Sequence, residues 1–146
     1  MWPRNYNDLI AYTSYCDKQQ KEIHSKEKNS EHIALNKDSD NVRQIKIDGD
    51  VFPKNNTNER RVDYLVIDET KKSAYLIELK GSHVNSALCQ VEYSDKNLRN
   101  ALQGHKIYWR VICSSRTANL KTNDIKIFLK KNPQLVLKRN TLKENI

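Results

Sequence analysis

The sequence predicts one α/β domain, residues 1–146, in which helices flank a central mixed sheet and the elements follow the order α-β-β-β-α-β. Two apolar runs, 62–67 and 74–79, are rich in β-branched and aromatic residues and are separated by a short polar segment, which is typical of an antiparallel hairpin. Apolar residues at helical spacing follow, and then the nearly continuous apolar run 107–113, which is typical of a strand buried on both faces. A chain of 146 residues has room for one hydrophobic core.

The elements before the hairpin are predicted from periodicity. A first helix is expected near the amino terminus, where apolar residues recur at Leu9, Tyr12, Cys16 and Ile23. Alternation of polar and apolar residues predicts the first strand over 42–52. Residues 53–58 contain turn-forming residues without apolar anchors, so we expect a mobile surface loop there.

The elements after the hairpin are predicted in the same way. Helical spacing of apolar residues predicts a helix over 85–102 that covers one face of the sheet, and Gly104 lies where such a helix would end. After the strand at 107–113, a short helix is predicted over 124–131 and a last strand over 135–137.

Charge and composition exclude several classes of protein. Lys and Arg outnumber Asp and Glu by 26 to 18, a net charge of +8 that favours a polyanionic partner. Apolar runs are far shorter than the roughly 18 residues of a membrane-spanning helix, and residues 1–6 do not resemble a secretory signal, so we expect a cytoplasmic protein without membrane contact. The glycines form no phosphate-binding motif, which disfavours a nucleotide-binding loop.

Neither the cysteines nor the histidines form a recognisable metal or disulfide motif. The three cysteines are widely spaced and odd in number, so neither a disulfide framework nor a zinc knuckle is predicted. His24, His32 and His105 show no spacing typical of zinc, and we expect all three at the surface.

Three charged residues interrupt the buried strands of the hairpin. Asp63 lies at the start of the first strand, and Glu78 and Lys80 lie at the end of the second, on one face because side chains alternate along a strand. If the chain turns near residues 70–72, Asp63 lies level with Glu78. Two adjacent carboxylates repel each other unless a cation joins them, and such oxygen ligands suit Mg²⁺, with Mn²⁺ as the alternative. A metal held there would assist hydrolysis of a phosphodiester, with Lys80 orienting water or stabilising the transition state.

Asp63 followed by Glu78-Leu79-Lys80 resembles the signature of the PD-(D/E)xK nucleases, and the order of elements resembles their restriction-endonuclease-like core over roughly residues 42–113. The resemblance implies metal-dependent cleavage of phosphodiester bonds, with DNA favoured over RNA. It implies that the metal is bound by Asp63, Glu78 and Leu79 and that Lys80 is the catalytic lysine. One branch of the family adds a glutamine on the helix after the third strand, near a tyrosine, and Gln90 with Tyr93 resembles that element.

Further site residues remain open at this stage. The resemblance implies an additional acid near the metal, for which there are four candidates: Glu22, Glu31, Asp48 and Asp50. Four residues are candidates for substrate binding: Arg61, Ser82, His83 and Tyr93. For Ser82 and His83, a loop or helix-capping role is the alternative. A homodimer or a partner protein would give so small a domain its selectivity, and a catalytically silent nucleic-acid-binding or scaffold module is the competing function.

Overall fold

The structure is a computed structural model that describes residues 1–18, 20–54, 60–80, 83–114 and 119–146, with the backbone alone for residues 15–18. Most of the loop predicted at 53–58, together with Ser82, lies outside the described residues. Within the described part of the chain, no helix is long and apolar enough to cross a membrane.

The described chain forms three helices and nine strands. The helices are α1 (Tyr6–Ile10), α2 (Val84–Leu98) and α3 (Asn123–Lys131). The strands are β1 (Thr13–Lys18), β2 (Glu22–Glu27), β3 (Ser30–Leu35), β4 (Asn41–Lys46), β5 (Tyr64–Asp68), β6 (Ser73–Lys80), β7 (Lys106–Cys113), β8 (Leu135–Arg139) and β9 (Thr141–Asn145).

The larger sheet has six strands in the order β1-β4-β5-β6-β7-β8. Neighbours from β1 to β6 pair antiparallel, whereas β7 runs parallel to β6 and β8 runs parallel to β7. The parallel step from β6 to β7 requires a crossover, which α2 provides. The prediction of a mixed central sheet is therefore confirmed, as are the hairpin and the buried strand at 107–113.

The two faces of this sheet are covered differently. The helices pack on one face, where Leu88 and Val91 of α2 contact a buried cluster that includes Leu65 and Leu76. The other face carries a second sheet of order β2-β3-β9, which buries Ile23 and other aliphatic side chains against β5, β6 and β7. Each such fully buried side chain stabilises the fold by about 1.5–3 kcal/mol. Helices therefore flank one face as predicted, but a sheet covers the other.

The prediction of a helix reaching Ile23 is wrong. Asn5 caps α1 by accepting a hydrogen bond from the backbone N–H of Asp8 at 2.8 Å, and the helix ends at Ile10. Beyond it, β1 pairs with β4, and β2 pairs with β3 in a hairpin. Buried and exposed residues alternate along β2, with Ile23 and Ser25 facing inward. Long-range pairing therefore overrides the helical spacing of the apolar residues.

The other boundaries differ by a few residues. The first strand of the predicted core ends at Lys46 rather than at 52, because a turn follows in which the backbone N–H of Asp50 donates to the carbonyl of Lys46 at 3.2 Å and that of Phe52 to the carbonyl of Ile47 at 3.0 Å. Helix α2 ends at Leu98, and turns lead to Gly104, whose φ of 86° favours glycine. Strand β9 was not predicted.

His32 is buried, so its prediction as a surface residue is wrong. Its side chain has no exposed area, and Nε2 lies 2.7 Å from Glu144 of β9. Arg110 of β7 holds the same carboxylate through Nε at 2.7 Å and Nη2 at 3.0 Å, and this lowers the pKa of Glu144 against the opposing effect of burial. The network joins the two sheets. His24 is about half exposed, as predicted, and His105 is partly buried.

Candidate active site

The predicted carboxylate pair lies at the end of the β5–β6 hairpin. The ladder runs from Asp68 opposite Ser73 to Tyr64 opposite Ile77. The backbone N–H of Asp63 donates at 3.1 Å to the carbonyl of Ile77, which is also the ladder partner of Tyr64, so Asp63 stays attached to the end of the hairpin. The side chain of Asp63 lies beside that of Glu78, as the sequence predicted.

Asp63 is held by the end of β6. Its Oδ2 accepts a hydrogen bond from the backbone N–H of Leu79 at 2.8 Å, and its carboxyl group lies within hydrogen-bonding distance of that of Glu78. Burial raises the pKa of Asp63, and this effect exceeds the opposing effects of the Leu79 N–H and Glu78. The nearby carboxylates of Glu27 and Asp48 raise the pKa further.

Glu78 is the most deeply buried member of the site, with 1% of its side chain exposed. Burial raises its pKa well above the ordinary value, and the charge of Asp63 adds to that effect while Lys80 opposes it. Lys80 Nζ lies 3.5 Å from Glu78 Oε2, whereas Oε1 has no hydrogen-bond partner among the described residues. The two acids therefore favour sharing one proton unless further positive charge enters the site.

A cavity of about 230 Å³ opens beside this pair. Of the pair, Asp63 lines this cavity, together with Leu79 and Lys80, Asp48 and the turn between β2 and β3; the buried Glu78 is not among the lining residues that the structure describes. The turn is fixed over the site because Ser30 Oγ donates to the carbonyl of Lys80 at 3.4 Å. One water needs only about 10–15 Å³ by the same measure, so the cavity has room for a hydrated ion.

The turn also brings an acid that the sequence did not indicate. Glu27, the last residue of β2, lines the cavity and forms a long ion pair with Lys54 at 3.8 Å. The predicted helix placed this residue outside any site. Burial alternates over 22–27 and 30–35 in the structure, but Ser25, Ser30 and His32 are among the inward-facing residues, so hydropathy gave little indication of this hairpin.

Of the four candidates for an additional acid, Asp48 lines the cavity. Glu22 and Glu31 instead bind His24, at 3.2 and 2.9 Å, on the exposed surface of the small sheet. Asp50 is exposed and, within the described residues, does not line this cavity.

Arg61 and Gln90 lie next to the candidate site and contact its neighbours. Arg61 is 7% exposed, and its guanidinium binds Asp48 through Nε at 3.0 Å and Nη2 at 2.9 Å. Gln90 on α2 donates to the backbone carbonyl of Arg61 at 3.1 Å, while its Oε1 is buried without a partner in the described part of the chain. Both residues thus support the segment leading into Asp63.

The remaining described candidates for substrate binding, Tyr93 and His83, do not line this cavity. Tyr93 is exposed on the next turn of α2 after Gln90. His83 is the exposed N-cap residue of α2, and its side chain makes no capping hydrogen bond. The predicted role of Ser82 falls on a residue outside the described ranges.

The donor set fits a hard divalent cation. Among the described residues no group of three or more His, Cys, Asp or Glu side chains is arranged to hold a metal. Mg²⁺, however, is commonly bound by one or two carboxylates and otherwise by water and substrate phosphate. Asp63 and Glu78 supply two carboxylates, and Glu78 Oε1 is a buried oxygen without a described partner.

Compared with protein-family models, with curated proteins and with solved structures, the chain matches none of them.

Proposed function

We propose that the chain is a metal-dependent nuclease that hydrolyses phosphodiester bonds, with DNA favoured over RNA. The observation that carries the proposal is the buried Asp63–Glu78 pair, short of positive charge, beside Lys80 at an open cavity. The order of elements supports it, because an antiparallel β4-β5-β6 meander followed by α2 and a parallel β7 fits the restriction-endonuclease-like core.

The residues divide the chemistry between them. Asp63 and Glu78, with the adjacent backbone of Leu79, would hold Mg²⁺ or Mn²⁺ and give up their shared proton as it binds. The bound ion supplies Lewis acidity toward the phosphate and lowers the pKa of the attacking water. Lys80, whose side chain is 32% exposed at the cavity, orients that water or stabilises the charge that develops on the phosphate. Water adds to phosphorus, and the bond to the leaving oxygen breaks.

A cleavage assay tests the proposal. The substrates are labelled single- and double-stranded DNA and RNA, each incubated with Mg²⁺, Mn²⁺ or EDTA. We expect cleavage with either metal, none with EDTA, and none with Asp63→Asn or Lys80→Met. Matched controls are Asp8→Asn and Lys37→Met, which change exposed residues of the same types outside the candidate site. Cleavage that survives Asp63→Asn would contradict the assignment.

The competing function is a nucleic-acid-binding or scaffold module without turnover. The contact between Lys80 and Glu78 at 3.5 Å favours it, because that ion pair alone compensates one carboxylate. It predicts salt-dependent binding that is unchanged by EDTA and by Asp63→Asn, with no cleavage under any metal.

A further inference from the structure

A second and larger cavity, of about 450 Å³, lies along α2. Its lining includes the cationic side chains of Arg60, Lys96 and Arg99, and among the described lining residues Glu92 is the one carboxylate. The aromatic side chain of Tyr93 also borders it. The cavity therefore combines excess positive charge with an exposed ring, the two features that bind phosphate and base in a single nucleic-acid strand.

The floor and one cation of this cavity are held in place by a buried acid. Asp95 is 4% exposed and accepts a 2.7 Å hydrogen bond from the indole Nε1 of Trp109, which also lines the cavity. The same carboxylate accepts hydrogen bonds from Arg99 Nε at 3.1 Å and Nη2 at 2.9 Å. Arg99 nevertheless remains 72% exposed, so its guanidinium is oriented while staying accessible.

The other two cations are differently placed. Within the described part of the chain, neither Arg60 nor Lys96 has an ion-pair partner. Tyr93 is 38% exposed, and its ring centroid lies 6.4 Å from that of Trp2. A phosphate can approach both cations, and a base can approach the ring, without displacing a described ion pair.

The cavity lies close to the proposed catalytic site along the chain. Arg60 precedes Asp63 by three residues, a span of at most about 11 Å. Cys89 lines the cavity and neighbours Gln90, which hydrogen-bonds to the carbonyl of Arg61. Arg60 and Gln90 therefore link the cavity to the segment that leads into Asp63.

We propose that this cavity binds one unpaired nucleotide of the substrate, with its base against Tyr93 and its phosphate between Arg60 and Lys96. Single-stranded nucleic acid, or an unpaired segment of it, is then the substrate class, because the bases of an intact duplex are stacked and cannot reach the ring. The link to cleavage rests on the proposed function, whereas binding at the cavity does not.

Binding in EDTA tests the subsite without turnover. The probes are fluorescent oligothymidylate and oligouridylate of about 12 nucleotides, a length that a single small binding groove covers, and a matched duplex. We expect Tyr93→Leu to weaken single-strand binding by about fivefold to a hundredfold, the range for loss of one base–aromatic stack. Tyr93→Phe, which keeps the ring, should bind as the wild type does, and duplex binding should be unchanged by either variant.

The salt dependence tests the phosphate contact separately. Between about 50 and 200 mM salt, Lys96→Gln should reduce the slope of log K against log salt by about 0.7, the value for one phosphate contact to a single strand. Lys37→Gln, which removes an exposed lysine beyond the opposite end of β3 from the candidate site, should leave the slope unchanged. The DNA and RNA probes show which strand binds more tightly.

The outcomes separate this inference from the proposed function. Equal single-strand binding by the wild type and Tyr93→Leu overturns the subsite, whatever the cleavage assay shows. If Tyr93→Leu and Lys96→Gln weaken binding but the protein shows no cleavage with any metal tested, the subsite is supported and the proposed nuclease activity is overturned. Equal effects of Tyr93→Leu on single-strand and duplex binding overturn the assignment of an unpaired nucleotide.

Discussion

Two pairs of adjacent carboxyl groups lie at opposite ends of β5, and among the described residues one of them, Asp63 with Glu78, borders a cavity with further acids. At one end Asp63 meets Glu78, and at the other Asp68 meets Asp40. Both pairs are largely buried; burial raises the pKa values of both Asp63 and Glu78, whereas in the other pair burial raises the pKa of Asp68 to about 6 and that of Asp40 is lowered. By residue type and burial alone the two pairs are nearly equivalent.

The cation beside each pair distinguishes them. Lys71 Nζ lies 2.7 Å from Asp38, 3.1 Å from Asp40 and 2.9 Å from the backbone carbonyl of Ile146, and its backbone N–H donates to Asp68 at 3.0 Å. Lys80, in contrast, makes one ionic contact among the described residues, at 3.5 Å. The Asp40–Asp68 pair therefore has a lysine in close contact, although Asp68 Oδ2, like Glu78 Oε1, is buried without a hydrogen-bond partner among the described residues. The longer contact with Lys80 and the adjoining cavity, rather than the pairing of acids, distinguish the Asp63–Glu78 pair.

The largest expected difference between the pairs is in activity. Lys80→Met should reduce metal-dependent cleavage by about a thousandfold, within the range for removing a group that acts on the transition state. Lys71→Met, the same substitution at the other pair, should leave the cleavage rate near that of the wild type at temperatures where it is folded. Cleavage rates under saturating Mg²⁺ measure both. A comparable loss in folded Lys71→Met would show that the pairs do not differ in role.

The order should be reversed for stability: Lys71→Met should destabilise the protein more than Lys80→Met does. Lys71→Met leaves two buried carboxyl groups without their cation, a change that costs about 3–5 kcal/mol at fully buried sites. Because Lys71 is 40% exposed, we expect the free energy of unfolding to fall by about 2 kcal/mol. Lys80→Met should cost less than about 1 kcal/mol, since Glu78 already favours its neutral form. Urea denaturation near neutral pH checks this, with Lys37→Met as the control.

The hairpin that carries both pairs was predictable from sequence because its signals are local. Two apolar runs, a polar turn and period-two geometry predicted that Asp63 lies level with Glu78, and helical spacing predicted α2 after Lys80. Residues 13–35 were not predictable in the same way, because β1 pairs with β4 and β3 with the far end of the chain. The position of Glu27 at the cavity depends on those pairings, so it could not follow from spacing.

The Asp40–Asp68 pair illustrates the same limit of prediction from sequence. Asp68 and Lys71 lie in one turn, but Asp40 lies almost thirty residues earlier in the chain, so its contact with Lys71 at 3.1 Å could not be predicted from spacing. The sequence signature selected Asp63 and Glu78 for the proposal because Glu78 and Lys80 share one strand face. It did not predict that Arg61 would be buried against Asp48 rather than exposed for substrate.

Replacing Glu78 by glutamine should stabilise the protein at high pH. Burial raises the pKa of Glu78 in the folded state, so folding favours its protonated form. Stability of the wild type therefore falls as the pH rises from about 4.3, the unfolded value, through the folded-state pKa. Glu78→Gln removes that loss, and we expect a gain of about 1–2 kcal/mol near pH 8 that shrinks toward about pH 5. Urea denaturation at several pH values measures this gain. If Glu78→Gln were less stable than the wild type near pH 8, the negative charge of Glu78 would not be unfavourable in the folded state.

Metal binding should give the smallest effect and should distinguish the pairs most directly. At about ten times its dissociation constant, Mg²⁺ stabilises a protein by roughly 1.4 kcal/mol, which for a domain of this size raises Tm by about 5 °C. We expect this shift in the wild type and in Asp68→Asn, whose amide can still accept from the N–H of Lys71 and donate to Asp40. Asp63→Asn should lose it. Because the ion displaces a shared proton, the shift in the wild type should grow as the pH rises. A shift that is lost in Asp68→Asn and kept in Asp63→Asn would place the ion at the other end of β5 and reverse the assignment of the two pairs.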